Sequence, residues 1–81
     1  NILCEPGEAI EAATGLAERV NANAPLAVRA TRKAVLEGTL VPDEDGIRIA
    51  VELFRPVAVS EDAKEGPLAF VEKRPPEWKA R

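Results

Sequence analysis

The chain has 81 residues, of which 46% are apolar and 4% aromatic, so it forms at most one domain, with a core built mainly from Ala, Val and Leu. The net charge of −3, with acids and bases mixed along the chain, argues against a nucleic-acid-binding protein, which would carry a concentrated basic face. No run approaches the roughly 20 apolar residues of a membrane span, no signal peptide is visible and Cys4 is the one cysteine, so we expect a cytoplasmic protein without membrane contact.

A domain of this size is expected to rely on another surface for its stability. Short chains bury a smaller fraction of their surface than larger domains, and a single cysteine allows no intrachain disulfide to compensate. The sequence also begins with Asn1 rather than Met, which favours a fragment of a longer polypeptide. We therefore expect contacts with another domain or another subunit.

Apolar residues at helical spacing predict the first two helices. The first is expected over residues 7–22, after the turn at Glu5-Pro6-Gly7. Asn23 is a plausible N-cap of the second helix, Pro25 suits its first turn, and Gly38 is expected to end it as a C-cap.

A third helix is predicted after the acidic turn at residues 41–46, because Asp and Glu are favourable at a helix N-terminus. Pro56 interrupts its pattern, since proline cannot donate an N–H and crowds the preceding turn. The helix therefore either kinks or ends at Arg55, and we favour the kink because Val57 and Val59 still need burial.

The fourth helical region begins at Ser60, a good N-cap that is followed by two acidic residues. Gly66-Pro67 is expected to break it, because the residue before a proline avoids helical geometry. We therefore predict two pieces, over residues 60–66 and 67–73, then a stop at Arg74-Pro75-Pro76 and an extended tail. No segment alternates as a strand would, so the predicted fold is all-α, with three or four helices and no sheet.

The sequence lacks the residues of most catalytic centres. It has no histidine, which removes Ser-His-Asp and Cys-His arrangements and most zinc sites, and its five glycines are scattered rather than gathered in a phosphate loop. We predict no metal site and no catalytic residue. Glu52 lies in an apolar stretch but suits a solvated helix face, and Cys4 suits a structural thiol better than a reactive one.

Phe70 and Lys73 form the one pair with a plausible ligand. Three residues apart, they would share a face of a helix, where an aromatic ring and an ammonium suit a ligand with a flat base and phosphates. The alternative is a core phenylalanine and a solvated helix end. Trp78 likewise either anchors a partner or packs the tail onto its own helices.

Several segments resemble the C-terminal part of the enoyl-CoA hydratase/isomerase (crotonase) superfamily. They are Ala17-Glu18-Arg19-Val20, Asn23 to Val28, Ala30 to Ala34, Ser60 to Gly66, Ala69-Phe70 and Glu72-Lys73-Arg74-Pro75. The resemblance implies a C-terminal helical domain, residues 1–81, that covers the active site of an N-terminal spiral domain and makes trimer contacts, with trimers commonly paired into hexamers. Arg55-Pro56 and Pro67 depart from the family's pattern.

The resemblance also implies a function. Hydratases of this family use two glutamates and an oxyanion hole to add water to a 2-enoyl-CoA thioester, and no glutamate here matches a catalytic one. Phe70 and Lys73 match the family's A-F-x-E-K segment, which contacts coenzyme A, so the expected partner is the substrate's own CoA and no separate cofactor is expected. The alternatives are another reaction of the family, such as isomerisation of an enoyl-CoA, or a helical interaction module that is not an enzyme.

Overall fold

The computed structural model describes residues 2–81, and within them the chain forms four helices and no strand. They are α1 (Ala9–Asn21), α2 (Pro25–Gly38), α3 (Asp43–Ala58) and α4 (Glu61–Glu72). The all-α prediction is confirmed, and α1 falls within the predicted span of 7–22. No helix of this part of the chain is long and apolar enough to cross a membrane.

The junction of α1 and α2 differs from the prediction in the role of Asn23. Its side-chain amide donates to the carbonyls of Arg19 (2.8 Å) and Val20 (3.2 Å), so it caps the C-terminus of α1. The N-cap position of α2 is Ala24, without a side-chain hydrogen bond, and Pro25 stands in the first turn as predicted. The prediction for Asn23 was wrong because the last carbonyls of α1 also lack partners and lie within reach of its two donors.

The main packing contact joins α2 and α3, which lie against each other near two glycines. A Cβ built on Gly46 would lie 3.1 Å from the carbonyl oxygen of Gly38, closer than ordinary van der Waals contact. Gly38 is the last residue of α2 rather than its C-cap, and the Thr39 hydroxyl donates to the Val35 carbonyl at 2.9 Å. The position of Gly38 is therefore explained by the close approach of α3.

Two prolines lie inside helices, Pro56 in α3 and Pro67 in α4. At Pro56 the helix does not end at Arg55 but continues to Ala58, and the favoured kink stays a prediction. The prediction that Val57 and Val59 are buried is only partly confirmed, since Val57 is half-buried and Val59 is exposed.

The predicted break at Gly66-Pro67 was wrong, since α4 is a single helix from Glu61 to Glu72. Part of the steric clash that drives the pre-proline residue out of the helical region involves its Cβ, which glycine lacks. The N-terminus of α4 agrees with the prediction, because the Ser60 hydroxyl accepts a hydrogen bond from the Ala63 N–H at 3.1 Å.

The four helices form a thin slab with a small core. The described chain measures 42 × 40 × 18 Å, with a radius of gyration of 15.8 Å, against roughly 12 Å for a compact domain of this length. Among residues 2–81, Ala30 and Ala69 are the buried apolar residues, and no large side chain is fully buried. The accessible surface is 6717 Å², which exceeds by roughly 2,000 Å² that of a compact monomer of this size.

Large apolar side chains stand exposed on every helix and at the turn between α2 and α3. They include Ile10, Leu36, Leu40, Ile47, Val51, Phe54, Leu68, Phe70 and Val71. A monomeric soluble protein rarely exposes this much apolar surface, so these faces suit contact with another surface.

Candidate functional site

The C-terminal residues 74–81, here called the strap, run back along α4 and are tied to its first turn. The Asp62 carboxylate, whose residue is 3% exposed, accepts hydrogen bonds from the N–H groups of Lys79 (2.7 Å) and Ala80 (3.0 Å). The Glu61 N–H donates to the Arg81 carbonyl at 2.7 Å. The tail was predicted to be extended; it contains no helix or strand, Ala80 has a positive φ of 58°, and these hydrogen bonds hold its far end to α4.

Arg74, where the strap leaves α4, bonds two carboxylates at once. Its Nη1 and Nη2 donate to the two oxygens of Glu65, the second at 3.0 Å, and its Nε donates to Glu72 at 2.6 Å. Glu65 also accepts the Glu77 N–H at 2.8 Å. The hydrogen bonds from Arg74, and then that from Glu77, lower the pKa of Glu65 from 4.5 to about 2. Hydrogen bonds to Glu65 and Glu72 raise the pKa of Arg74, so the Arg74–Glu65 pair is ionised at neutral pH.

Lys73 lies between this cluster and the end of α4, in a left-handed conformation with φ of 54°. The Lys73 N–H points to the Phe70 carbonyl (3.3 Å) and the Arg74 N–H to the Ala69 carbonyl (3.1 Å), the pattern of a Schellman C-cap. The prediction that Phe70 and Lys73 share a helical face was wrong in its geometry, because α4 ends at Glu72. Glycine is usual at this position, so a helix end at a lysine could not be predicted from the residue type.

The two predicted ligand-binding residues are close in the chain and both exposed. Phe70, in the last turn of α4, is 84% exposed, which excludes a core role within residues 2–81. In the same part of the chain, no carboxylate lies within 4 Å of the Lys73 ammonium, although Glu72 and Glu65 both pair with Arg74. The end of α4 thus presents an uncovered aromatic ring and an ammonium without an ion-pair partner, which suit a ligand with an aromatic base and phosphate groups.

Trp78 packs onto its own chain. Its indole N–H donates to the Ala22 carbonyl at 2.9 Å, just past α1, and a Cβ built on Gly66 would touch its ring at 3.4 Å. The strap therefore joins the end of α1 to the middle of α4, which supports the packing interpretation of Trp78 over the partner-anchor one.

The other candidates carry no site chemistry. Glu52 is exposed and pairs with Arg55 at 2.9 Å, as expected of a solvated helix face. Cys4 is an exposed free thiol beside an open groove of about 300 Å³, lined also by Ile2, Ala9 and Leu16.

Sequence reasoning missed the residues that hold the strap, namely Asp62, Glu65 and Arg74. The available signal was the spacing of the two glutamates: Glu65 and Glu72 are seven residues apart and so lie on one face of a helix, where a following arginine can reach both. For Asp62, the position in the first turn pointed to the helix dipole and gave no sign of the returning tail.

Comparison with known proteins gives a consistent set of similarities. A family model described as enoyl-CoA hydratase/isomerase matches residues 3–81. An enoyl-CoA hydratase from Mycobacterium tuberculosis is 40% identical over 75 residues, which are 93% of this chain and 28% of that protein. A carnitinyl-CoA dehydratase from Proteus mirabilis is also 40% identical, over 78 residues, covering 91% of this chain and 30% of that one.

The same similarity appears in solved structures. The crystal structure of an enoyl-CoA hydratase from Mycobacterium tuberculosis superposes with a TM-score of 0.93 at 42% identity, covering 100% of this chain and 32% of that one. An enoyl-CoA hydratase/isomerase from Mycobacterium paratuberculosis has a TM-score of 0.89 at 47% identity, covering 96% of this chain and 31% of that one. The chain spans about three tenths of the length of these relatives.

Proposed function

Because the chain belongs to the enoyl-CoA hydratase/isomerase family, we propose that it is the C-terminal helical part of an enzyme that hydrates 2-enoyl-CoA thioesters in fatty-acid metabolism. The observation that carries this proposal is the family match over residues 3–81, together with relatives that are named enoyl-CoA hydratase. We place the acid–base groups and the oxyanion hole in the part of the relatives' length that this chain does not span.

Within that enzyme, Phe70 and Lys73 contact the coenzyme A part of the substrate. The exposed ring of Phe70 offers a surface for the adenine base, and the Lys73 ammonium offers a charge to a phosphate. Neither side chain reaches a reacting atom in this role, so both act in substrate binding and not in the chemical step.

The helices also cover the active site and make the contacts of a homotrimer or a dimer of trimers. The support is the excess accessible surface of roughly 2,000 Å² on this one chain, more than twice the roughly 800 Å² that each partner buries in a standard specific interface. The exposed apolar side chains of α2 and α3 give this surface the composition of an oligomer interface rather than of a monomer's surface.

Another reaction of the family is the second candidate. Relatives named carnitinyl-CoA dehydratase match at the same 40% identity as a relative named enoyl-CoA hydratase. This favours a lyase acting on a CoA thioester and leaves the acyl group open, because the equally similar relatives are named for different reactions.

The test is substitution of Lys73 in the full-length protein, with a 2-enoyl-CoA as substrate. Lys73→Ala removes one charge–phosphate contact at an exposed site, worth about 1–2 kcal/mol, so KM is expected to rise about five- to thirtyfold while kcat stays within twofold. Lys64→Ala is the matched control, because Lys64 is an exposed lysine of α4 away from the helix end, and it should leave both constants unchanged. An unchanged KM for Lys73→Ala would refute the CoA-binding role, and a full-length protein without activity on enoyl-CoA thioesters would refute the hydratase assignment.

A further inference from the structure

The turn at Lys73 is held in a conformation that lysine does not favour by itself. A positive φ of 54° brings the Cβ close to the backbone, which is why glycine is usual at this position of a helix C-cap. The residues on both sides are fixed by one group: Glu72 before Lys73 and Arg74 after it are joined by the bond from the Arg74 Nε to the Glu72 carboxylate.

Glu65 fixes the same guanidinium from the preceding turns of α4. Arg74 meets it with two parallel N–H···O bonds, a geometry that the planar guanidinium of arginine provides and a lysine ammonium does not. The site is partly shielded from water, since the side chains are 18% exposed for Glu65 and 35% for Arg74. The cluster is therefore more rigid than a solvated surface ion pair.

In this cluster Arg74, and not Lys73, pairs with the carboxylates. Glu65 and Glu72 are the carboxylates that flank the end of α4, and both are occupied by Arg74. Without Arg74, either carboxylate would attract the Lys73 ammonium and compete with an anionic ligand for it. Within residues 2–81 the Lys73 ammonium makes no ion pair, while its neighbour Arg74 bonds both of these acids.

We propose that Arg74, held by Glu65 and Glu72, is a positioning residue for Lys73: it stabilises the left-handed turn and occupies both carboxylates, so that the Lys73 ammonium is left for the phosphates of coenzyme A. This inference rests on the proposed CoA-binding role of Lys73. Arg74 itself touches no ligand in this arrangement and acts only through Lys73.

The experiment is a double-mutant cycle on the full-length protein with a 2-enoyl-CoA as substrate. Arg74→Gln is expected to raise KM about fivefold with kcat within twofold of wild type. In a Lys73→Ala background, the same substitution should raise KM no further, because its effect passes through Lys73. Arg81→Gln is the matched control, since Arg81 is an arginine of the same strap that pairs with Glu61 at 3.0 Å, and it should leave KM unchanged.

A purely structural role for Arg74 gives a different pattern, in which Arg74→Gln changes KM by the same factor with and without Lys73, and that result would overturn the proposal. If Arg74→Gln does not fold, Arg74→Lys carries the test: it keeps the charge but cannot bond both carboxylates in a fork, so KM should rise at least twofold, and an unchanged KM would overturn the proposal. If Lys73→Ala alone leaves KM unchanged, the CoA role fails and this inference fails with it. A raised KM for Lys73→Ala beside an unchanged KM for Arg74→Gln refutes this inference alone.

Discussion

Replacing Asp62 by alanine should release the end of the strap from α4. The Asp62 carboxylate is buried and accepts two main-chain N–H groups, those of Lys79 and Ala80. A hydrogen bond to an ionised group contributes about 1.5–3 kcal/mol, and the released amides can bond water, so the lower value applies to each. The expected cost of Asp62→Ala is therefore about 3 kcal/mol of local opening free energy.

Hydrogen exchange of the strap amides measures this opening directly. A loss of about 3 kcal/mol corresponds to exchange that is about a hundredfold faster at Lys79 and Ala80. Glu61→Gln is the matched control, because Glu61 is the adjacent residue and its carboxylate makes only exposed pairs with Lys79 (3.5 Å) and Arg81 (3.0 Å). Such pairs contribute about 0.5 kcal/mol each, so loss of both should speed exchange by about fivefold at most.

Two results would refute this reasoning. Exchange in Asp62→Ala within threefold of the wild-type rate would mean that the carboxylate does not hold the strap. Equal acceleration by Asp62→Ala and Glu61→Gln would mean that burial and main-chain hydrogen bonds add nothing to an exposed ion pair. Either result would remove the basis for treating residues 74–81 as part of the fold.

Two further predictions concern helix packing and pH. Gly46→Ala should destabilise the protein by about 1–2 kcal/mol in denaturant unfolding, because the new methyl would lie 3.1 Å from the Gly38 carbonyl oxygen. Gly15→Ala, with open space around it in α1, should stabilise by about 0.5–1 kcal/mol, and the same sign for both variants would contradict the packing described here. The folded-state pKa of Glu65 is lowered from 4.5 to about 2, so its stabilising effect is fully present above pH 4.5 and is lost as the pH falls through 2. Over that pH range the Tm of the wild-type protein should therefore fall more than the Tm of Glu65→Gln. A constant Tm difference between the two proteins would show that the Arg74–Glu65 bond does not favour the ionised carboxylate.

Local sequence signals predicted the helices because helix formation is largely local. Apolar spacing located α1 to α3, and the Ser60 cap located the start of α4. The continuation of α4 through Gly66-Pro67 was not predicted. The rule that residues before proline avoid helical geometry was applied to Gly66, although glycine has no Cβ and so lacks part of the steric clash behind that rule. The role of Asn23 was misassigned because two helix ends lie within its reach and the sequence does not say which one it serves.

The family was predictable from the sequence, and the geometry at the end of α4 was not. The family resemblance is confirmed by the match over residues 3–81, and it pointed to Phe70 and Lys73, which remain a prediction as CoA contacts. The strap could not be read from the sequence, because its bonds join residues far apart in the chain, such as Trp78 and Ala22. A helical period relates residues within a few turns and carries no information about a returning tail.

The proposed contact at the end of α4 is tested directly by two thioesters of the same 2-enoyl group, one of coenzyme A and one of pantetheine. Pantetheine lacks the adenine nucleotide and its phosphates. In the full-length protein, Lys73→Ala should lower kcat/KM for the CoA thioester about fivefold or more and change that for the pantetheine thioester by less than twofold, because the lysine meets only the nucleotide part. An equal loss with both thioesters, or no loss with the CoA thioester, would contradict the assignment of the end of α4 as a coenzyme A contact.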